Sequence, residues 1–381
     1  MKKSFKDKLE KLFALDKEFY EKELAKKFPD ISLIMSGREV VIYGAGKMGR
    51  LFKTNLIKRG IKVLAFVDSN PKFWGKDIDG IKIISPRRLK KYSDKPVLIA
   101  SLIYETEIYE KLRHMQLPFV YPLCFLNYLY PDIFISAEYW QKFNSLFSPK
   151  NQADIFKISE FWSDEESKRV FFNLIKFRFC FDKKLIKTIK SNSHQYFEPN
   201  ILSLTKKEVF LDCGAYNGDT LVQFYQEVSG KFKKIYSFEP DQGNFRKLCQ
   251  TVRKINTAKI IPVNKAVYST NGKIGFRQTS DVDARIDNKG DVISTVTLDD
   301  FLKPKEKATF IKMDIEGAET EALLGAKDVL AQNKPKLAIS VYHKDSDLWE
   351  IPLLIKRLNK NYRLYLRHYT NEIIDTVCYA A

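Results

Sequence analysis

The sequence predicts an α/β protein in which two strand-turn-helix domains follow one another, joined by a helical bridge. Two segments carry that prediction. EVVIYGAGKMGRLFKTNLIKRGIKVLAFVDSNP, from Glu39, and KKEVFLDCGAYNGDTLVQFYQE, from Lys206, each read as an apolar strand, a glycine turn and an amphipathic helix. A length of 381 residues with 44% hydrophobic content supplies material for two cores, and 16 Gly with 14 Pro are too few for a disordered chain.

Taken in order, residues 1–37 form an N-terminal helical segment: Leu9, Leu12, Phe13, Phe19, Tyr20 and Leu24 recur among charges with helical spacing over 5–28, ahead of Pro29. Residues 38–120 form a Rossmann-like α/β domain, with a helix ending near Gly60, a second strand closing on Asp68, and short apolar runs at 81–84 and 97–100. Residues 121–200 read as an aromatic-rich helical bridge, in which Ser163 and Glu166 are spaced as a capping box before SKRVFFNLIKFRF. From 201 to 381, strands at 234–238, 259–263, 308–313, 337–342, 362–367 and 373–379 alternate with helices at 241–254, 319–332 and 348–359. Only HYTNE separates the last two strands, so the sheet ends in an antiparallel hairpin.

A net charge of +18 permits anionic partners, but the excess is scattered in pairs such as Lys26-Lys27, Arg87-Arg88 and Lys233-Lys234, as on a solvated surface. Nucleic acid is therefore not the favoured partner. Five cysteines without CxxC spacing predict reduced thiols and a cytoplasmic setting. MKKSFKDKLEKLF meets Asp7 and Glu10 before any apolar core develops, and the uncharged run 115–131 contains three prolines. Neither a secretory signal nor a transmembrane segment is expected.

The first glycine turn matches G-x-G-x-x-G at Gly44, Gly46 and Gly49, with Asp68 at the end of the next strand. Such a turn brings backbone N–H groups to a phosphate, and Asp68 could accept from ribose hydroxyls. A nucleotide or nucleotide sugar is one reading; a packing turn is the other. The surrounding text resembles the Rossmann-like segments of bacterial sugar-modifying enzymes.

In the second turn, Asp212, Gly214, Tyr216, Gly218 and Asp219 place carboxylates beside the ligand, which suits a cationic amino group and a sulfonium better than a pyrophosphate. Glu239, 27 residues beyond Asp212, stands where a carboxylate can take both ribose hydroxyls. Together these read as S-adenosylmethionine binding. In FIKMDIEGAE, strand alternation aims Lys312, Asp314 and Glu316 toward one face at the sheet's C-terminal edge. The plain alternative is an internal ion-pair network, with Glu319 serving only its helix dipole. His343, after LAISVY, reaches the same edge, and His368 ends another strand; a lone histidine is often only a satisfied hydrogen-bonder.

VFLDCGAYNGD, YSFEPD, VNKAVYS, TVTLDDF, FIKMDIEGAE and SVYH, in this order, resemble the FkbM-type family of S-adenosylmethionine-dependent methyltransferases. The resemblance spans about 160–381, including Gln195-Tyr196-Phe197. It implies a class I methyltransferase sheet of seven strands with the last antiparallel, and methylation of hydroxyl oxygens on sugars, polyketides and related acceptors. Asp212, Gly214, Tyr216, Gly218, Glu239, Gln195 and Tyr196 would hold the cofactor; Asp314, Glu316 and His343 would line the acceptor side. The chain departs from the pattern at Tyr216, where many other methyltransferases carry a glycine, and at Asp283-Ala284-Arg285, where relatives often show Ser-Arg; only Arg285 carries over as an acceptor contact.

These readings converge on O-methylation of a saccharide or glycan precursor in bacterial surface-glycan synthesis, with His343 as first candidate base, Asp314 second, Lys312 and Glu316 orienting, and His368 with Arg285 binding the acceptor. A metal is not required, although Asp314 and Glu316 could hold Mg²⁺. An RNA methyltransferase, or a sugar-nucleotide-binding scaffold with an inert second domain, are the rival readings.

Overall fold

A computed structural model of the chain describes residues 4–28, 39–130, 134, 143–278, 284–286, 291–302 and 306–381. It divides into two compact units, one built from Met1–Gln152, Phe172–Thr188 and Thr370–Ile373, the other from Ala153–Phe171, Ile189–Tyr369 and Ile374–Ala381.

In the first unit, β1 (Val40–Tyr43), β2 (Val63–Val67), β3 (Asp77–Ile78), β4 (Ile81–Ile84), β5 (Val97–Ile99) and β6 (Val120–Tyr121) form a six-stranded sheet of order β3-β4-β2-β1-β5-β6. All pairings are parallel except β3 with β4. VVIY of β1 is buried on both faces, as a central parallel strand requires. The amphipathic segment expected over 5–28 is two helices, Phe5–Phe13 and Lys17–Lys27. The break follows from Asp16, whose carboxylate accepts from Phe19 N at 2.8 Å and so starts a second helix. Elsewhere in this unit, Lys183 is buried between Glu105 and Glu372 and pairs with both carboxylates.

In the second unit, β7 (Val209–Cys213), β8 (Lys234–Phe238) and β9 (Ile260–Val263) begin the larger sheet. The chain then leaves it for β10 (Ala266–Val267), β11 (Gly272–Gln278), β12 (Ala284–Ile286) and β13 (Asp291–Val296), a separate four-stranded sheet of order β10-β13-β11-β12 that sequence patterning did not anticipate. It returns in β14 (Phe310–Met313), β15 (Lys336–Ser340), β16 (Leu364–His368) and β17 (Thr376–Ala380), completing seven strands in the order β16-β17-β15-β14-β7-β8-β9. The final strand, β17, runs antiparallel to both β15 and β16, as the short HYTNE connection requires.

Aromatic side chains fill the core beside β7 and β14: Phe210 stacks on Phe224 at 4.4 Å and on Phe310 at 4.9 Å between ring centroids. Each such ring contributes on the order of 1.5–3 kcal/mol by its burial. The helix expected over 319–332 is split into Glu319–Leu324 and Lys327–Asn333. The break falls at Gly325, where a Cβ would lie 2.0 Å from the Tyr268 carbonyl oxygen. The helix Glu165–Cys180 is capped by Asp164, not by the predicted Ser163 box: Ser167 N donates to Asp164 Oδ1 at 2.8 Å, while Ser163 N donates to the Leu364 carbonyl. Among the described residues, no helix is long and apolar enough to cross a membrane.

Candidate active site

The glycine turn after β7 is shaped by two glycines at positive φ. Gly214 has φ +80°, and a Cβ there would fall 1.9 Å from the Asp314 carbonyl oxygen, so only glycine fits between the turn and the end of β14. Gly218, at φ +90°, begins the helix Asp219–Glu227. Tyr216 also has positive φ, at +47°, a conformation that costs a non-glycine residue about 1 kcal/mol and is held by the loop's bonds. Chief among them is Glu239, at the end of β8: its Oε2 accepts from Tyr216 N and its Oε1 from Asp241 N, each at 2.9 Å. Burial pushes the Glu239 carboxyl up to about 7, although the Asp241 and Tyr216 N–H groups pull it back. The second lone pair of each oxygen remains for a ligand donor.

Beneath this loop lies an ion pair. Asp212 is fully buried, and its Oδ1 is 3.2 Å from Lys312 Nζ, which also donates to the Gly214 carbonyl at 2.6 Å. Burial raises the Asp212 carboxyl to about 6 against the pull of Lys312. Two sequence expectations change here. Asp212 does not face a ligand; at 0% exposure it holds Lys312 and, through it, the turn. Lys312 points to Asp212 and Gly214 O, and so does not orient an acceptor or His343.

The end of β14 and the loop after it carry the second half. Asp314 Oδ2 accepts from Tyr196 OH at 2.8 Å and its Oδ1 from Tyr342 OH at 3.1 Å. Burial alone would raise its carboxyl, but His343, Lys312 and the Tyr196 phenol hold it below the usual carboxylate range. Tyr196, expected at the cofactor, instead braces Asp314 and covers Lys312, whose Nζ lies 5.2 Å from its ring centroid. Gln195 Nε2 donates to Tyr196 OH at 2.9 Å and reaches Asp375 at 3.4 Å. Glu316 turns back from the strand through φ +56°, which brings its Oε2 to 3.4 Å from His343 Nε2.

His343 sits in a cage of acids: Asp314 Oδ1 is 3.5 Å from Nε2, and Glu319 Oε1 is 3.1 Å from Nδ1. Burial would lower its imidazole, but Glu319, Glu316 and Asp314 outweigh it and push it up to about 10. An imidazole already holding its second proton has no lone pair left, so this environment does not suit the general base that its position suggested. His368 is fully buried in β16 with Nδ1 2.8 Å from Thr376 Oγ1, which removes it from contact with any acceptor. Arg285 lies on β12 opposite Arg277, and its side chain is outside the described residues.

Sequence reasoning missed Tyr342, Asp347 and Asp375, and gave Glu319 only a dipole role. Glu319 is fully buried, accepts from Ile315 N at 2.8 Å and faces His343. Asp347, pushed up to about 7 by burial and by Glu319, accepts from Lys344 N at 2.7 Å. Asp375 is raised to about 6 by burial and Asp314. Tyr342 was findable, since it precedes His343 in SVYH; Asp375 was not, because it reaches the site only through the hairpin.

The first unit's glycine turn is braced from within. Asp68 Oδ2 accepts from Ala45 N at 2.9 Å and Oδ1 from Asn70 N at 2.8 Å, so both oxygens already shape the loop. A Cβ on Gly44 would be 2.7 Å from Ala100 O and one on Gly49 would be 1.9 Å from Gly44 O, whereas Gly46 faces open space. Gly44 and Gly49 thus serve close packing, and Gly46 alone keeps an approach open.

Comparison with known proteins matches residues 212–373 to the family model described as Methyltransferase FkbM domain, and residues 36–119 to the model described as C2185-like, N-terminal. Among solved structures, a methyltransferase FkbM from Methylobacillus flagellatus is 22% identical over 93% of this chain and 94% of its own, with a TM-score of 0.78. That shows a shared fold over almost the whole length. UDP-D-quinovosamine 4-dehydrogenase from Vibrio fischeri is 31% identical over 21% of this chain and 72% of its own, with a TM-score of 0.18. Aeropyrum pernix fibrillarin, solved with natively bound S-adenosyl-L-methionine, is 12% identical over 48% of this chain and 70% of its own, with a TM-score of 0.31. No curated protein matches the chain.

Proposed function

Since the chain belongs, through residues 212–373, to the FkbM methyltransferase family, we propose that it transfers a methyl group from S-adenosylmethionine to a hydroxyl of a saccharide, in bacterial surface-glycan synthesis. The observation that carries this reading is the Glu239 carboxylate, anchored by Tyr216 N and Asp241 N at the rim of a glycine turn. The donor set fits the group: a carboxylate with free lone pairs suits vicinal ribose hydroxyls, and Glu239 with Asp219 gives the rim the negative charge that favours an amino group and a sulfonium. When bound, S-adenosylmethionine supplies a methyl group on a positively charged sulfur.

The chain's own residues do the rest. Glu239 takes the ribose, and the Gly214–Gly218 turn lets the backbone come close. Holding the acceptor hydroxyl in line supplies the large entropic part of the rate. Glu316 would take the hydroxyl proton as the acceptor oxygen receives the methyl group that the bound donor would supply, the donor's sulfur keeping the electron pair. Its side chain is 31% exposed at the strand end, whereas His343 is 4% exposed and caged by acids. Asp314, bonded to two phenols, fixes that rim. The first unit's turn, open at Gly46 beside Asp68, is the proposed place of a nucleotide or nucleotide sugar.

Calorimetry with S-adenosylhomocysteine tests the donor half, and mass-spectrometric detection of a +14 Da product from nucleotide-sugar and oligosaccharide pools tests the acceptor half. Binding of the nucleoside with no methylated saccharide would leave the family's chemistry and remove the acceptor class; no binding by folded protein would favour an inert scaffold.

A further inference from the structure

The cage around His343 is acidic. Three carboxylates, those of Asp314, Glu316 and Glu319, lie 3.5, 3.4 and 3.1 Å from its ring nitrogens, and Lys312 is committed to Asp212 and the Gly214 carbonyl. We propose that Asp314, Glu319 and His343 bind one divalent transition cation of the Mn²⁺ or Zn²⁺ kind.

Three observations lead there. One ligand atom from each of the three residues lies within 4.8 Å of the other two. Ligands about a single cation with bonds of about 2.1 Å stand about 3 to 4.2 Å apart, so the side chains need to close by only a fraction of an ångström. Glu319 and His343 are buried to 0% and 5% exposure, yet Glu319 Oε2 has no hydrogen-bond partner, and the His343 ring nitrogens meet only the carboxylate approaches of 3.1 to 3.5 Å, none of them a well-formed hydrogen bond. Buried polar atoms without hydrogen bonds are costly, and a cation at this point would satisfy Glu319 Oε2 and one ring nitrogen, displacing the proton that the carboxylates otherwise hold there. The cage also has an open side, since the Asp314 and Glu316 side chains are 24% and 31% exposed. Three protein ligands with an open position is the pattern of a catalytic metal centre and leaves room for water or an acceptor oxygen.

The mixed donor set decides the metal class. Two carboxylates alone would suit Mg²⁺, but an imidazole favours a transition ion. Asp314 and Glu316 were the alternative pair for an Mg²⁺ that the sequence did not require; in this proposal the more buried Glu319 replaces Glu316, which is left for the proton. The site's existence stands apart from the methyl-transfer reading, on which only its role in anchoring the acceptor hydroxyl rests.

The test uses the full chain, stripped with EDTA and titrated with MnCl₂ by calorimetry and by electron paramagnetic resonance, with cooperative melting as the criterion of folding. The expected result is one Mn²⁺ per chain, displaced by Zn²⁺, with affinity falling at least tenfold in Glu319→Gln and in His343→Gln. For variants that do not fold, the wild-type spectrum decides, because an imidazole ligand produces ¹⁴N coupling to bound Mn²⁺. No saturable binding of Mn²⁺ or Zn²⁺ up to millimolar concentration, binding unaffected in both folded variants, or bound Mn²⁺ without nitrogen coupling would overturn the proposal. Separate titration with S-adenosylhomocysteine distinguishes this failure from failure of the donor site.

Discussion

Replacing Lys312 with Met removes the cation beneath the glycine turn and leaves Asp212 buried without its partner. At 3.2 Å and an effective dielectric constant of about 20, the lost attraction is about 5 kcal/mol. If the stranded carboxyl takes up a proton instead, doing so at pH 7.5 from the ordinary value of 3.8 also costs about 5 kcal/mol. Breaking one side of a buried pair typically costs about 3–5 kcal/mol, the range expected for Lys312→Met. The double variant Asp212→Asn, Lys312→Met leaves no stranded charge, loses mainly the donor to Gly214 O, and is expected to cost only about 1–2 kcal/mol. Urea unfolding of the wild type, both single variants and the double variant at pH 7.5 closes the cycle. A Lys312→Met protein within about 1 kcal/mol of wild type, or a double variant no more stable than that single one, would refute the assignment of Lys312 to the loop.

Glu239→Gln is expected to weaken S-adenosylhomocysteine binding about tenfold or more, measured by calorimetry, because a neutral amide replaces a charged acceptor. In the wild type, ligand hydroxyls favour the ionised form of a carboxyl raised to about 7, so affinity should level off above that pH and fall toward tenfold per unit below it. The sign for the unliganded protein is opposite. Stability from this group is full below the ordinary carboxylate value of 4.5 and is lost as pH rises through about 7, so its melting temperature should fall across that window and the ligand should restore it. Gly214→Ala should abolish ligand binding and lower stability by at least about 2 kcal/mol, seen by calorimetry and thermal melting, since the new Cβ meets the Asp314 carbonyl at a positive φ. Glu316→Gln should lower turnover about 10²- to 10⁴-fold in a methyl-transfer assay while leaving S-adenosylhomocysteine affinity within about twofold; unchanged turnover would remove Glu316 as proton acceptor.

The larger sheet was legible because its strands are short apolar runs, three of them closed by Gly214, Glu239 and Asp314, and because HYTNE is too short for a parallel crossover. The four-stranded excursion β10–β13 was not. Its strands, such as GKIGFRQ and DVISTV, mix polar and apolar residues and lack the continuous apolar run that marked the strands of the larger sheet. At the site, the strand pattern gives positions along the chain but not partners. Alternation put Lys312 and Asp314 on one face, but whether Lys312 meets a ligand or Asp212 depends on the parallel register Lys312↔Asp212, which spans 100 residues of sequence. His343 was located correctly at the sheet edge; its acid cage depends on Glu316 adopting φ +56° and on Glu319 folding inward, neither of which a strand or helix period encodes.

The missing side chain of Gly214 has a consequence for altering this enzyme. The Gly214 turn rests directly against the main chain of Asp314, with no room for a side-chain atom between them. A change that shifts that carbonyl therefore presses on the turn. On the proposed reading, randomising the DIEGAE segment to retune the acceptor should return many variants that are silent because they no longer bind S-adenosylhomocysteine. Libraries in which Cys213–Tyr216 varies together with Asp314–Glu316 should recover function that either segment, varied alone, loses.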